Sequence, residues 1–425
     1  MRILIITYGF PPLNSVASLR PYSFAKAFTN QGHEVTVATA AKPSNPLDLA
    51  LDCSKFEVIE VHSKLLARLY RWLSINRGTN PGTQSNRSRS FLKRINQLRT
   101  RRGLLVLGRL PDLLDLLIRP TKKALAGRQW DLVISSYAPR YCHEVAASLR
   151  SNGSANYWIA DFRDLWTLHH QFKGLFPFTV LERRLEHRYL RQADLVTTVS
   201  ADLSRNLAEH AQREVEVFTN GFDPDDLQQL PSTALYTDDK IHLVYTGTIY
   251  PSWGSYKHFL TAVAKLRRAS PELYARLQIT FAGSDIANLG KRSEDLGLSD
   301  CIKFIGPQIR PIALQMQRDS HVQLFFEPSK GTGIATGKLF EYISSGTLVW
   351  RIGPARSTVA TKLLEQSATG IDLGQDSESI SQALGSLARD GTKPHIKPNR
   401  AVIDRYDRQL IASRLLAAAV QGMSS

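Results

Sequence analysis

The chain alternates short runs rich in β-branched residues with longer helical patterns, and it does so in two successive halves. Such alternation of strand and helix builds a parallel sheet with helices on both faces. Two rounds of it within 425 residues exceed what one core usually holds, so two domains are expected. We therefore predict an α/β protein whose two doubly wound domains face one another across a cleft.

The strand-like runs define the expected sheets. In the first half they are Arg2–Thr7, Glu34–Thr39, Phe56–Val61, Asp131–Ser135, Tyr157–Asp161, Asp194–Val199 and Val215–Phe218. In the second half they are Ile241–Tyr245, Leu277–Ala282, Ile302–Ile305, Val322–Phe326 and Leu348–Ile352. The helix after the first strand is expected to bury Leu19, Phe24, Ala27 and Phe28.

The stretch Asp223–Lys240 contains two prolines and several polar residues, as linkers do. It separates a first domain at residues 1–225 from a second at 239–395, and residues 396–425 follow as a terminal amphipathic helix. Apolar positions spaced for one continuous helix occur over Asn399–Met423. They are Ile403, Tyr406, Leu410, Leu415 and Ala419.

A glycine-rich segment, Gly331–Gly346, follows the strand that ends at Phe326. It reads Gly-Thr-Gly-Ile-Ala-Thr-Gly-Lys-Leu-Phe-Glu-Tyr-Ile-Ser-Ser-Gly. Its glycines let backbone N–H groups approach a ligand, and the helix expected to begin near Gly337 favours anions at its N-terminus. Glu341 stands one turn into that helix, where a carboxylate can accept from paired sugar hydroxyls. This combination suits a nucleotide-sugar; the alternative is a tight turn followed by an exposed glutamate.

The stretch Lys338–Gly346 resembles the donor-binding helix of the family 4 retaining glycosyltransferases, which have the GT-B fold of two Rossmann-like domains. Further stretches follow in that family's order over nearly the whole chain outside residues 62–128. They are Tyr8–Pro12, Ser18–Pro21, Gln31–Val37, Asp161–Trp166, Ala193–Ser200, Thr219–Asp223, Tyr245–Thr248, Phe281–Gly283 and Ile302–Gly306. The resemblance implies a hexosyltransferase that moves a sugar from a nucleotide diphosphate donor to a carbohydrate. It also implies that the helix at residues 396–425 crosses back to the first domain. It further implies that the departing phosphate oxygen can take the acceptor proton, so no dedicated protein base is needed.

The donor site implied by this resemblance departs from the family pattern. Asn14-Ser15 replaces paired glycines that touch the diphosphate, and its alternative role is to begin the next helix. In the family, a Gly-Arg pair and a lysine five residues later bind the diphosphate. Here the corresponding pair is Gly247-Thr248, and the next lysine is Lys257. We prefer Lys257 as the diphosphate cation, with Lys338 and Arg351 as alternatives. Gly333 stands where the family has the first of two glutamates. The predicted donor set is Asn14, Ser15, Gly247, Thr248, Lys257, Gly283, Gly333, Thr336, Gly337, Lys338 and Glu341.

Two residues are candidates for catalysis. Asp161, at the end of an apolar strand, can bind an acceptor hydroxyl or stabilise a sugar-ring cation; the alternative is an internal pair with Arg163. His143 begins a helix at the edge of the expected cleft, and its alternative is a structural role. Asp161 and Asp164 are not the Asp-x-Asp of metal-dependent transferases, and no Cys/His cluster has zinc-site spacing. We expect no metal and no cofactor, so backbone dipoles and Lys or Arg must meet the diphosphate charge.

Almost all of the net charge of +16 lies in an insertion at about 62–128. Residues 64–128 contain 16 Lys and Arg against two acids, whereas the rest of the chain is close to neutral. In Lys64–Arg77 a stripe of Leu65, Leu69, Trp72 and Leu73 runs beside a stripe of cations, as in helices that lie at a membrane surface. The alternatives are a packed basic insertion and nucleic-acid binding. The predicted membrane residues are Lys64, Arg68, Arg71, Trp72, Lys93 and Arg94.

The expected partners are a nucleotide-sugar, a carbohydrate acceptor carried on a lipid, and an anionic membrane surface. Three widely spaced cysteines fit reduced thiols, and no apolar run approaches the ~20 residues of a spanning helix. We therefore expect a cytoplasmic enzyme, peripheral at the inner face of the membrane, that acts in glycan or polysaccharide biosynthesis. The alternatives are a sugar-nucleotide epimerase on the same fold and a non-catalytic membrane- or nucleic-acid-binding protein.

Overall fold

The chain folds into two compact units, each with its own parallel sheet. Unit 1 comprises Met1–Ser44, Ala50–Thr219 and Ala412–Ser425, and unit 2 comprises Asn45–Leu49 and Asn220–Ile411. The computed structural model describes residues 1–42, 45–75, 109–168, 174–250, 254–285, 287–327, 337–354 and 357–424, with the backbone alone over 70–75.

Unit 1 is built on a seven-stranded sheet. Its strands are β1 (Arg2–Ile6), β2 (Glu34–Ala40), β3 (Glu57–Val61), β4 (Trp130–Tyr137), β5 (Ala155–Phe162), β6 (Leu195–Thr198) and β7 (Glu216–Val217). They lie in the order β3-β2-β1-β4-β5-β6-β7, and all neighbours are parallel. Ile3–Ile6 of β1 are completely buried, as expected of a central parallel strand covered on both faces.

The helices of unit 1 follow the strands in the expected alternation. They are α1 (Val16–Asn30), α2 (Lys64–Ile75), α3 (Ile118–Ala124), α4 (Tyr141–Ser151), α5 (Phe178–Gln192) and α6 (Ala201–Ala211), and a 3-10 turn at Leu113–Leu117 precedes α3. Helix α1 buries Leu19, Phe24, Ala27 and Phe28, so its predicted inner face is confirmed.

Unit 2 repeats the design with six parallel strands. They are β8 (Ile241–Thr246), β9 (Leu277–Ala282), β10 (Ile302–Phe304), β11 (Val322–Phe326), β12 (Leu348–Ile352) and β13 (Gly370–Asp372), in the order β10-β9-β8-β11-β12-β13. The helices are α7 (Pro224–Gln228), α8 (Ser255–Ala269), α9 (Pro271–Tyr274), α10 (Leu289–Asp295), α11 (Arg310–Asp319), α12 (Gly337–Ser344), α13 (Val359–Gln366), α14 (Ser377–Asp390) and α15 (Arg400–Ile403). The last helix, α16 (Arg408–Ser424), begins in unit 2, and its residues from Ala412 onward belong to unit 1. The strand order reverses between β8 and β11, and ligands of open α/β sheets bind beyond the strand ends at such a point.

The predicted α/β class with two parallel sheets is confirmed, and every predicted strand is present with its ends shifted by no more than two residues. The short strand β13 was not predicted, because three residues that include a glycine give no strand pattern.

The prediction of one continuous helix over Asn399–Met423 is wrong. The chain forms α15, a 3-10 turn at Asp404–Tyr406, and then α16. Between the last two, Asp407 is extended (φ −61°, ψ 125°) because Phe222 pairs with this stretch. The Phe222 N–H donates to the Tyr406 carbonyl at 3.0 Å, and the Arg408 N–H donates to the Phe222 carbonyl at 2.9 Å. The break shifts the helical phase, so Leu410 is 46% exposed and Ile411 is buried instead.

Candidate functional site

Two glycines shape the edge of the second sheet where β8 and β9 end. Gly247 has φ +111°, a conformation that favours glycine, and its N–H donates to the Ala282 carbonyl at 2.7 Å. A Cβ on Gly283 would come within 1.9 Å of the Gly247 carbonyl oxygen. The two backbones therefore touch, so Gly283 has no room for a side chain, and the positive φ of Gly247 disfavours one there. Thr248, next in the chain, is half-buried.

The lysine beside this glycine pair is Lys338, in the first turn of α12. A Cβ on Gly247 would lie 2.8 Å from the Lys338 Nζ. The same Nζ donates to the Tyr245 hydroxyl at 2.6 Å and lies 3.9 Å from the centroid of its ring. Burial lowers the pKa of Lys338 to about 7, and the nearby Glu341 opposes that shift. Lys257, the cation preferred from sequence, is exposed on α8.

Glu341 lies one turn further along α12, on the same side of the helix as Lys338, and is 8% exposed. Its Oε1 accepts from Arg310 Nη1 at 2.8 Å, and Arg408 Nη2 lies 3.7 Å from the same oxygen. Arg310 also donates to Asp226 at 2.6 Å. A carboxylate has about four lone-pair directions, so two arginines on one oxygen leave Glu341 with capacity to accept from further donors. The alternative of an exposed glutamate is wrong.

The charges around Glu341 support one another. Burial alone would lower the pKa of Arg310, but the Glu341 and Asp226 carboxylates raise it above its ordinary value. Burial and the neighbouring Arg310 together lower the pKa of Arg408. Two acids and two arginines therefore share a largely buried cluster in which each charge has a partner, as burial of charge requires.

Arg351, the other alternative for the diphosphate cation, does not face a ligand site. Its guanidinium is completely buried, donates to Asp372 at 2.7 Å, and makes an ion pair with Glu327. Thr358 also donates to Glu327, and Ser255 donates to the Glu327 carbonyl at 2.6 Å. These bonds fix the end of β11, where Glu327 is the last described residue before 328–336.

In unit 1, Asp161 is 1% exposed and serves as the centre of a hydrogen-bond network. It accepts from Arg20 Nη2 at 2.9 Å and Nε at 3.1 Å, and from Thr197 at 3.0 Å. Burial raises the pKa of Asp161, but Arg20 outweighs that effect and the pKa is lowered overall. The internal ion pair weighed from sequence therefore exists with Arg20, whereas Arg163 donates to Ser136 instead.

His143 lies in the core rather than at an accessible edge. It is 0% exposed, its Nδ1 is 2.7 Å from the Ser135 hydroxyl, and that oxygen accepts from Trp158 at 2.8 Å. Burial lowers the pKa of His143 to about 3, which makes its imidazole a weak base. This position favours the structural alternative over a role in catalysis.

The loop after β1 places its polar residues at the start of α1. Asn14 is exposed, and Ser15 is half-buried as the residue before the first turn. The Ser15 hydroxyl lies 3.0 Å from the Ser18 hydroxyl and makes no capping bond to the helix. The N-terminal N–H groups of α1 therefore lack the usual side-chain cap.

The basic insertion is described in α2 and over residues 109–128. Lys64 and Arg68 are exposed on α2. Of the predicted apolar stripe, Leu65 is 53% exposed and Leu69 is half-buried, whereas Leu66, outside the stripe, packs into the core with Leu114 and Leu117. Outside the described residues lie Gly333, Thr336, Lys93, Arg94 and the side chains of Arg71 and Trp72.

No helix in the described part of the chain is both long and apolar enough to cross a membrane. Nor do histidine, cysteine and carboxylate side chains in that part form a group that could hold a metal ion.

Sequence reasoning missed four residues of the site in unit 2, Tyr245, Asp226, Arg310 and Arg408. They come from β8, α7, α11 and α16, which are far apart in the chain, so no local spacing joins them. The one available signal was the run Gly306–Pro311, where an arginine and a proline begin a helix after a strand.

The sequence matches the model of Glycosyltransferase Family 4 over residues 20–226, just under half of the chain. No curated protein matches the sequence. The family match over residues 20–226 agrees with the family recognised from the motifs.

Solved structures with this fold span almost the whole chain. A sucrose-phosphate synthase from Thermosynechococcus elongatus has a TM-score of 0.66 at 14% identity, over 99% of this chain and 98% of its own. The structure described as "Trehalose-6-phosphate from E. coli bound with UDP-2-fluoro glucose" has a TM-score of 0.61 at 12% identity, over 99% of both chains. A putative UDP-N-acetylglucosamine 2-epimerase from Listeria monocytogenes has a TM-score of 0.53 at 13% identity, over 98% and 95%. At such identities the likeness shows the fold alone, and the predicted GT-B architecture is confirmed.

Proposed function

We propose that this chain is a glycosyltransferase of family 4, which transfers a sugar from a nucleoside diphosphate donor to a carbohydrate acceptor with retention of configuration. The observation that carries the proposal is the start of α12, where Lys338 lies beside Gly247 at the end of β8 and Glu341 lies one turn further along the helix. A fold relative that binds UDP-2-fluoro glucose adds support for a nucleotide-sugar as donor.

The diphosphate is bound at the N-terminus of α12. The first turn of a helix has unsatisfied N–H groups and a partial positive charge, which together favour an anion. Lys338 adds a full charge once it is protonated, and the side-chain-free surface of Gly247 and Gly283 allows phosphate oxygens to approach the backbone. The same groups stabilise the charge that develops on the leaving diphosphate. We therefore assign the role of diphosphate cation to Lys338 rather than to Lys257.

The ribose is bound by Glu341. Arg310 holds the carboxylate in place from one side, and Asp226 in turn holds Arg310. Positioning of this kind matters because a hydroxyl-binding carboxylate must keep its direction while the donor is bound. A ribose with two adjacent hydroxyls matches the acceptor capacity that Glu341 retains.

The transfer itself uses the donor as its own base. The bond between the sugar carbon and the phosphate oxygen breaks, the acceptor oxygen bonds to the same face of that carbon, and the departing phosphate oxygen takes the acceptor proton. This route preserves the anomeric configuration and needs no protein base. It is consistent with the burial of His143 and with the use of Asp161 as an ionised partner of Arg20. We expect the reaction to proceed without a divalent metal, because Lys338 and the helix terminus meet the diphosphate charge.

The acceptor is proposed to be carried on a lipid, in the biosynthesis of a glycan or polysaccharide at the membrane surface. The support is the concentration of positive charge in residues 64–128, of which Lys64 and Arg68 are exposed. An anionic membrane attracts such a segment, and the attraction weakens with salt.

The proposal is tested by thermal-shift screening of the full chain against a panel of nucleotide-sugars, followed by assay of each hit for release of the nucleoside diphosphate. We expect one class of donor to raise the melting temperature, and Glu341→Gln to reduce that shift. The matched control is Glu378→Gln, a surface glutamate on α14 that should leave the shift unchanged. A panel without any stabilising nucleotide-sugar would refute the donor site.

A further inference from the structure

We propose that an exposed apolar cluster at the start of α5, together with the two arginines that follow it, docks unit 1 onto an anionic lipid surface. The inference rests on the proposed transfer to a lipid-borne acceptor and names the surface of the protein that meets the bilayer. It concerns Phe176–Arg184, which lies outside the basic insertion.

The cluster consists of Phe176, Val180 and Leu181, which are 78%, 43% and 47% exposed. Nowhere else among the described residues do three large apolar side chains within six positions lie so open to solvent. The cause is the phase of α5. Its inner face is formed by Glu182, Glu186 and Tyr189, so the residues just before Glu182 point away from the core. Exposed apolar side chains grouped in this way mark an interaction surface.

Positive charge follows the cluster directly. Arg183 and Arg184 are both exposed, and neither makes an ion pair with any residue in the described ranges. The single acid of Phe176–Arg184 is Glu182, which is 0% exposed. An apolar end followed by free cations is the pattern of a helix at a lipid interface, where the apolar groups enter the acyl boundary and the cations meet the headgroups.

The buried Glu182 also ties this surface to the basic insertion. Its carboxylate accepts from Arg109 Nη1 at 3.0 Å and from the Leu110 N–H at 2.7 Å. Gly174 packs against the same group, since a Cβ there would lie 3.1 Å from both Arg109 Nη2 and Glu182 Oε2. The part of the insertion around Arg109 and Leu110 therefore packs against the first turns of α5, so it lies in the same region of unit 1 as the apolar cluster.

This combination favours a lipid surface over other partners. A symmetric contact between two copies would bring the arginines of one cluster toward those of the other. A surface for single-stranded nucleic acid needs several aromatic rings for stacking, and Phe176 is the one ring that the cluster exposes. An anionic bilayer satisfies the apolar and the cationic part together.

The test is flotation of the full chain with vesicles of phosphatidylcholine alone or mixed with phosphatidylglycerol. The apolar variant is Phe176→Ser/Val180→Ser/Leu181→Ser, and its control is Leu296→Ser/Ile371→Ser, which alters exposed apolar residues of unit 2. We expect the apolar variant to lose about tenfold or more in partitioning at every salt concentration, because burial of each such side chain contributes strongly to binding. The control should float as the wild type does.

The charge variant is Arg183→Gln/Arg184→Gln, and its control is Lys291→Gln/Arg292→Gln, an equal charge change in unit 2. Each cation at an anionic surface contributes about fivefold to partitioning, so we expect a loss of roughly tenfold or more at low salt that disappears at high salt. Because Arg183 and Arg184 are exposed, this charge variant still tests the lipid contact if the triple serine variant does not fold.

Three results would overturn the proposal. They are a wild type that does not float with anionic vesicles, variants that float as well as the wild type, and a wild-type dimer that the apolar variant converts to monomer in sedimentation velocity. Flotation needs no donor, and nucleotide-sugar binding is measured separately by thermal shift. Failure of the lipid contact is therefore distinguishable from failure of the proposed transferase function.

Discussion

The affinity for the donor should fall as the pH rises above about 7, because the lysine that meets the diphosphate is buried. In the ligand-free protein, burial lowers the pKa of Lys338 to about 7 from an ordinary value of 10.5. A bound diphosphate favours the charged form, so the pKa rises again in the complex. Below about pH 7 the lysine is already charged and affinity is independent of pH. Above it, binding must take up a proton.

The size of the effect follows from this linkage. For each pH unit above the pKa of Lys338 in the ligand-free protein, protonation of the lysine on binding costs about 1.4 kcal/mol of binding free energy. Donor binding is then weakened up to about tenfold per pH unit. At about pH 8.5 the wild type should therefore bind roughly 30-fold more weakly than at about pH 6. Lys338→Met should bind the donor more weakly at low pH by about 1.5–3 kcal/mol, the worth of a charged hydrogen bond, and its affinity should not change further with pH.

The assay is isothermal titration with the nucleotide-sugar identified by screening, across this pH range and in two buffers of different ionisation enthalpy. On binding the donor, the wild type should take up close to one proton at the highest pH and none at the lowest pH. Lys257→Met, a change at an exposed lysine of α8, should behave as the wild type does. A flat wild-type profile, or a slope that persists in Lys338→Met but disappears in Lys257→Met, would refute the assignment.

Three further predictions concern the same site. Glu341→Gln should weaken donor binding by about 1–3 kcal/mol in titration, the cost of an unmatched buried polar contact, while circular dichroism shows a folded protein. Arg310→Met should lower the free energy of unfolding by about 3 kcal/mol in urea titration, because it leaves Glu341 and Asp226 without their shared partner. The control Arg318→Met removes a more exposed ion pair and should lower it by less than about 1 kcal/mol. Transfer should continue at its full rate in excess chelator; loss of activity that magnesium or manganese restores would contradict a metal-independent reaction.

The same depressed pKa fixes the sign of a stability effect. The pKa of Lys338 in the folded, ligand-free protein is below its value in the unfolded chain, so the unfolded state binds more protons between the two values. Stability of the ligand-free wild type should therefore gain from this group as pH rises from about 7 toward 10.5, and Lys338→Met should remove that gain.

The fold could be predicted because its determinants are local and repeated. The central strands are buried on both faces, so they appear in the sequence as continuous apolar runs such as Arg2–Ile6 and Val322–Phe326. The start of α12 was equally visible, since glycines before Lys338 and Glu341 form a contiguous pattern. Each of these features depends on residues that are neighbours in the chain.

The remainder depends on contacts between distant segments. The sequence paired Asp161 with its neighbour Arg163, whereas Arg20, 141 residues away, holds it in the structure. Lys257 was preferred over Lys338 because spacing cannot reveal which lysine folds against Gly247. The terminal helix breaks at Asp407 because this residue pairs with Phe222, a distant contact that the helical spacing of apolar residues cannot reveal.

Proton NMR of the reaction as it proceeds tests whether a sugar leaves a nucleoside diphosphate donor with its configuration retained. Nucleoside diphosphate and a new glycoside should appear together, and the anomeric coupling of the glycoside should show the configuration of the donor. A glycoside of the opposite configuration, or a donor sugar that is isomerised without forming any glycoside, would refute a retaining transfer.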